Sequence, residues 1–442
     1  MTLKNKLLSK FNMGDVSKNV SWILIQNIFS MICSVFVTAI VARHYGAAGY
    51  GYINFAQSFV ALFSFIAIMG TNHIIMKNLS EDKIEDGIVL GSNLFIRIIL
   101  AIISLLVSQG ISLLIYDKDI NILILLFNLN TILCSFDVFS YYAQSKMQNK
   151  YISISKIISI TVFSILKLLV IFLDLNINFF VLTYLIETII YSILLYISYR
   201  KISSNRNVKW KIDYSYIKEL LKKGKYYALA SLMVTIYLRI DQVMLGTMIS
   251  DKSQVGIYSA AVRISEIWTF VPISIITSYK PIIINEKEKS KAKYDKELSK
   301  LYNIVSFVCF LFVVIICVFG KLGIYILYGN EYSNAYIPLI ILTIGIWFGV
   351  LGNIHYIWMI CENKEKYSTF YSFSGCITNI IFNFLLIPKY GIIGAAIATL
   401  ISQISSNILS FSLIKDARIL TKKIIISLNP INGLKELKNK VR

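Results

Sequence analysis

About a dozen apolar runs, each close to the ~20 residues that carry a helix across a bilayer, follow one another along this chain. By hydropathy they fall at 20–42, 50–69, 88–115, 120–143, 152–173, 177–199, 226–249, 255–279, 301–327, 336–360, 367–387 and 391–413. Backbone groups cannot stay unpaired in lipid, so each run must be a helix or part of a closed barrel. These runs are long and rich in Ile, Leu and Phe, without the ~10-residue alternation of barrel strands, which predicts helices. Of 442 residues, 56% are hydrophobic and 15% charged, against roughly 45–50% and 25% in soluble domains. A soluble enzyme is excluded. The expected fold is an all-α polytopic membrane protein with twelve transmembrane helices. Little chain is left for a separate domain, so function must reside in the helices.

The net charge of +20 does not indicate a nucleic-acid partner, because the basic residues sit between apolar runs instead of interleaving with aromatics on a polar surface. They follow the bias of Lys and Arg toward the cytoplasm. One set of alternating connections carries 34 of them, the other 5, and five more lie inside the runs. Both termini are therefore expected in the cytoplasm. The basic start (Lys4, Lys6, Lys10, Lys18) precedes a run at 20–42 that exceeds the ~7–15 residue core of a signal peptide, so this run is expected to be the first span. A basic stretch at 200–225, including Arg200, Lys209 and Lys211, is expected to lie on the inner leaflet and to divide two six-helix bundles, 1–210 and 211–442. Internal similarity supports the division. Gly51-Tyr-Ile-Asn-Phe-Ala56 matches Gly256-Ile-Tyr-Ser-Ala-Ala261, and Lys150-Tyr151 matches Lys366-Tyr367. A six-span repeat keeps its orientation, which relates the halves about the membrane normal and places a central cavity between the bundles. After the last run, the basic and apolar stretch Arg418–Leu428 is too short to cross and is expected in the interface.

No phosphate-cradling, zinc-protease, nucleophile-elbow or dinucleotide signature is present. The six cysteines lie in or beside apolar runs without a CxxC pair, and there are only three histidines. No metal or cofactor is expected, and no catalytic residue.

Chemistry is expected instead from ionisable residues inside apolar spans, each costly there unless it faces a partner, the bundle interior or water. They are Arg97, Asp137, Lys156, Lys167, Glu187, Arg239, Asp241, Arg263 and Glu266. Lys156 and Lys167 lie eleven residues apart, about three helical turns, and so share a face expected to look into a cavity. Lys156 has the alternative of snorkelling to the inner interface. Arg263 and Glu266, three apart, have the alternative of pairing along their helix. Glu187 suits either a partner for Lys167 or a proton carrier. Pro272 should kink its span. Five basic against four acidic groups suit a cavity that holds an anionic headgroup, since Arg contacts phosphate bidentately. His355, Gly345-xxx-Gly349 and Gly394-Ala-Ala-Ile-Ala398 are expected to serve helix packing.

Three stretches resemble the polysaccharide-transporter (Wzx-type) O-antigen and capsule flippases of the multidrug/oligosaccharidyl-lipid/polysaccharide exporter superfamily. They are Ala42-Arg-His-Tyr-Gly-Ala-Ala-Gly-Tyr-Gly-Tyr52, then Arg239-Ile-Asp-Gln-Val-Met-Leu-Gly246 with Val255-Gly-Ile-Tyr-Ser-Ala-Ala-Val-Arg-Ile-Ser-Glu266, and Asn383-Phe-Leu-Leu-Ile-Pro-Lys-Tyr-Gly-Ile-Ile-Gly-Ala-Ala-Ile-Ala398. The resemblance runs from about residue 17 to 415. It implies two six-helix bundles around a cavity that alternates between faces. The implied substrate is an undecaprenyl-diphosphate-linked oligosaccharide, moved to the outer leaflet of the bacterial cytoplasmic membrane. Partners would be membrane lipids, a glycan polymerase and a chain-length regulator. The family pattern carries over to Arg239, Asp241, Arg263 and Glu266, where a basic group would meet the diphosphate, while Arg97, Lys156 and Lys167 match no family motif. Related lipid II flippases have fourteen spans, two more than here. The rival readings are a cation-coupled drug antiporter, expected to have a carboxylate-dominated cavity, a glycan polymerase, expected to carry a large outer loop, and a structural scaffold.

Overall fold

The computed structural model describes residues 13–81, 84–203, 208–364 and 367–441, and every regular element among them is helical. The basic residues Lys4, Lys6, Lys10, Arg206 and Lys366 lie outside the described residues. Ten described helical stretches are long and apolar enough to cross a bilayer. Two have double length, Ser21–Ile68 with 48 residues and Tyr367–Leu413 with 47. The first belongs to α1 (Met13–Ile68), which breaks at Gly46 with φ 67 and ψ 179. The second contains α13 (Tyr367–Ile404), which breaks at Gly391 with φ 55 and ψ −130. Positive φ is disfavoured by a Cβ, so glycine is the residue that lets each long helix turn there. The boundaries expected at 42/50 and 387/391 fall around these glycines.

The helices between are α2 (Thr71–Glu81), α3 (Asp86–Ile115), α4 (Lys118–Leu133), α5 (Val138–Ser145), α6 (Asn149–Phe172), α7 (Ile177–Ser203) and α8 (Tyr214–Met248). Then come α9 (Ser253–Ile267), α10 (Phe270–Lys289), α11 (Lys291–Tyr328) and α12 (Tyr336–Cys361). Beyond α13 lie a π-turn at Ser405–Leu409, α14 (Ser410–Leu413), α15 (Arg418–Ser427) and α16 (Pro430–Val441). The helix started by α9 breaks at Trp268–Thr269, just before Pro272. Large apolar side chains remain bare on helix surfaces, Leu114 at 88% and Phe172 at 85%. Such surfaces are stable only against hydrocarbon, which makes this a multi-pass membrane protein.

The chain forms two compact units. Among the described residues, the first comprises 13–44 together with those of Ala56–Leu232. Its core joins Val89 and Leu90 of α3, Phe139 and Tyr142 of α5, Leu195 of α7 and Leu220 of α8. Inside it, serines on one face of α3 meet amides of α4, Ser108 Oγ donating to Asn128 Oδ1 at 2.7 Å. Such bonds hold helices together where the hydrophobic effect cannot. The linker docks on this unit: a Cβ on Gly87 would lie 1.9 Å from the Lys209 carbonyl oxygen, and the Asp213 N–H donates to Ser92 Oγ at 2.9 Å.

The second unit comprises Tyr45–Phe55 and the described residues from Met233 onward. The division falls at Leu232/Met233 and not at 210/211, because α8 is one continuous helix whose first turns, with Tyr216 and Ile217, are buried in the core of the first unit. The core of the second unit gathers Ile283, Leu301, Tyr302, Leu351, Ile354 and Phe411. The start of the arm after Gly46 is held by Glu331, whose Oε1 accepts the Ala47 N–H at 2.8 Å. Here the two repeat-matched glycines meet. A Cβ on Gly51 would lie 1.9 Å from the Lys252 carbonyl oxygen, and one on Gly256 2.0 Å from that of Ala47. Backbone cannot yield as a flexible side chain does. Gly51→Val or Gly256→Val is therefore expected to destabilise the detergent-solubilised protein by about 1–3 kcal/mol, read as a lowered thermal-unfolding midpoint.

Candidate functional site

On α8, Arg239 and Asp241 sit two residues apart and face different surroundings. Asp241 is 5% exposed and is surrounded by neutral donors. Tyr258 OH donates to its Oδ2 at 2.7 Å, Asn383 Nδ2 to its Oδ1 at 2.6 Å, and Thr399 Oγ1 to its Oδ2. Asn383 Nδ2 also donates to Asn379 Oδ1 at 3.1 Å. Four helical segments thus converge on one carboxylate. An anion buried among neutral dipoles attracts a positive counter-charge, either a proton or a monovalent cation. Among the described residues, no group of three or more His, Cys, Asp and Glu side chains is arranged to hold a metal.

Arg239 is half-buried and Arg263 exposed. Both lie within electrostatic reach of the Tyr50 hydroxyl, as does Glu266. Neither is within ion-pair distance of a carboxylate among the described residues, and the pairing of Arg263 with Glu266 along the helix is not formed. Two such cations at membrane depth need water or an anionic ligand. One turn beyond Arg263, Glu266 borders a cavity of about 680 Å³ inside the second unit, whose wall also includes Tyr237, Lys280, Asn353, Tyr356 and Gln403.

The basic residues of the first unit are engaged otherwise. Arg97, 3% exposed, donates from Nε to Thr71 Oγ1 at 2.9 Å and from a terminal nitrogen to Asn72. Its guanidinium lies over the Tyr141 ring at 5.5 Å, with Asp137 in electrostatic reach. Lys156 pairs with Glu187 at 3.0 Å and lies over Tyr191 instead of snorkelling. Glu187 is thus the partner of Lys156 and not of Lys167. Lys167 is 4% exposed, its ammonium 3.8 Å from the Phe163 ring centroid, 4.2 Å from Tyr184 and 4.9 Å from Phe180. The shared face of α6 packs on α7 and its aromatics where an open cavity was expected. Exchanging the pair as Lys156→Glu with Glu187→Lys is expected to restore the thermal stability that either single change lowers, as a double-mutant cycle would register.

His355 is fully buried, with neither ring nitrogen hydrogen-bonded and its ring 4.1 Å from that of Phe411, a packing position. The sequence reading missed Tyr258, Asn383 and Thr399 as partners of Asp241. The available signal was Asn379 and Asn383, two amides one turn apart in an apolar run.

A family model described as "Polysaccharide biosynthesis protein" matches residues 16–285. The chain belongs to this family. The capsular polysaccharide biosynthesis protein CapF of Staphylococcus aureus is 24% identical over 392 residues, which cover 87% of this chain and 96% of CapF. The probable flippase AglR of Haloferax volcanii is 29% identical over 204 residues, 42% of this chain and 40% of AglR. Among solved structures, the lipid II flippase MurJ in an inward closed conformation superposes with a TM-score of 0.71 at 17% identity, covering 94% of this chain and 95% of MurJ. An inward-facing multidrug resistance transporter of the MATE family, in the MOP superfamily, gives 0.62 at 13% identity, covering 94% and 95%. The family member described here thus shares its fold with both a lipid flippase and drug transporters. The fold alone does not choose between them.

Proposed function

We propose that this family member is a flippase that carries undecaprenyl-diphosphate-linked oligosaccharide repeat units from the inner to the outer leaflet of the bacterial cytoplasmic membrane. The observation that carries the reading is Arg239 and Arg263, one half-buried and one exposed guanidinium, neither with a carboxylate partner among the described residues. A diphosphate offers oxygens in the geometry an arginine fork accepts. The polyprenyl tail stays in hydrocarbon while the headgroup is presented to each leaflet in turn. Arg97, Lys156 and Lys167, already engaged by other side chains, position the helices of the first unit.

The double-length helices broken at Gly46 and Gly391 support twelve crossings in two six-helix groups, and the 34 to 5 split of Lys and Arg between alternating connections supports cytoplasmic termini. Asp241 is assigned to coupling: a proton or monovalent cation on its carboxylate would bias the conformational cycle. Glu187 and Asp137 act as charge partners of Lys156 and Arg97, and Glu266 serves on the cavity wall. Work is done by binding and movement, not by catalysis. A glycan polymerase and a chain-length regulator are the machinery that would receive the product. The names of the relatives CapF and AglR and the fold shared with MurJ support this reading.

The test is reconstitution. Proteoliposomes containing the purified protein, loaded with undecaprenyl-diphosphate oligosaccharide, are expected to expose the glycan to an impermeant glycosidase in a protein-dependent manner. Accessibility equal to that of protein-free liposomes would overturn the proposal.

A further inference from the structure

The cavity of the second unit differs chemically from the arginine pair beside it. Its wall carries one carboxylate, Glu266, and one ammonium, Lys280, the latter 5.5 Å from the Tyr356 ring centroid. The rest of its polar lining is neutral, made of carboxamides and hydroxyls with the rings of Tyr237, Tyr356 and Tyr371. This composition is built in, not left over. The π-turn at Ser405–Leu409, a distortion frequent at functional sites, sets Gln403 and Asn407 on the wall. Asn407 Nδ2 donates to Gln403 Oε1 at 3.1 Å, which leaves Gln403 Nε2 and Asn407 Oδ1 as a donor and an acceptor side by side. Two glycines of α12 make room for them: a Cβ on Gly349 would lie 2.6 Å from Gln403 Oε1, and one on Gly352 1.9 Å from Asn407 Oδ1.

A drug cation would call for a carboxylate excess, and a phosphate for a cationic one. Paired amide donors and acceptors next to aromatic faces match something else, a ring with neighbouring hydroxyls along its edge and C–H groups on its face. At about 680 Å³ the cavity falls in the ~300–1,000 Å³ range of binding sites. We infer that this cavity holds the sugar rings of the substrate, next to a diphosphate on Arg239 and Arg263, and that Asn353, Tyr356, Gln403 and Asn407 select the glycan. The inference rests on the flippase reading and names the part of the substrate that the second unit recognises.

Asn353 and Tyr356 are exposed on the wall, so changing them leaves the core intact. In proteoliposomes, two probes are compared: undecaprenyl diphosphate bearing the complete repeat unit, and undecaprenyl diphosphate bearing no sugar. Tyr356→Ala and Asn353→Ala are each expected to raise KM for the complete unit about 10-fold, as for the loss of one hydrogen bond or stacked ring, with KM for the sugar-free lipid unchanged. Tyr356→Phe, which keeps the ring, is expected to restore the Tyr356→Ala value to near wild type. Equal changes for both lipids, or none for either, would overturn the sugar assignment while leaving the flippase reading intact. Wild-type protein that moves neither lipid would overturn both.

Discussion

Reversing one charge, Arg263→Glu, is expected to lower transport of the lipid-linked oligosaccharide by about 100-fold or more. The change removes a cation from the proposed diphosphate site and places a carboxylate there, near Glu266. Truncating one partner of a desolvated charge pair costs about 2–5 kcal/mol, and about 2.7 kcal/mol is already a factor of 100. Arg263→Lys keeps the charge but loses the planar fork, and is expected to fall between the variant and wild type. Because Arg263 is exposed and pairs with no carboxylate among the described residues, neither change should lower thermal stability by more than about 0.5 kcal/mol. Flipping rate in proteoliposomes is the readout, with unfolding midpoint as control. A scaffold would tolerate the reversal, and so would a drug antiporter that draws on carboxylates.

Asp241→Asn addresses the other half of the cycle. The amide keeps the shape of the side chain among Tyr258, Asn383 and Thr399 but cannot carry the charge that attracts a proton or cation. Transport driven by an imposed sodium or proton gradient is expected to fall by about 5- to 150-fold, the range of a coupling free energy of 1–3 kcal/mol. The residual rate should no longer respond to either gradient. Asp241→Leu would also leave the surrounding donors unmatched, adding about 1–3 kcal/mol of destabilisation. Loss of transport in Asp241→Asn together with full activity in Arg239→Ala and Arg263→Glu would favour the antiporter. The flippase reading requires both classes of variant to fail.

The helices were legible because lipid leaves the chain few options: a run of some twenty apolar residues must satisfy its own backbone. The glycines at 46 and 391 were legible as places where such runs end, though their positive φ was not. Arg239, Asp241, Arg263 and Glu266 stood out because ionisable groups at membrane depth are costly. Their partners did not. Tyr258, Asn383 and Thr399 are neutral, unremarkable in apolar helices, and come to Asp241 from up to 158 residues away. Lys156 and Lys167 illustrate a different limit. Helical spacing gives which residues share a face, but only packing decides what that face meets, here Glu187 for one and a cluster of aromatic rings for the other. The boundary expected at 210/211 followed the charge of the linker, whereas the division at Leu232/Met233 follows burial along the uninterrupted helix α8.

The most direct measurement deletes the gene in its host and asks, with a membrane-impermeant probe on spheroplasts, which leaflet holds the accumulated lipid-linked oligosaccharide. The account predicts accumulation on the cytoplasmic face. Single repeat units accumulated on the outer face, or no accumulation at all, would contradict it.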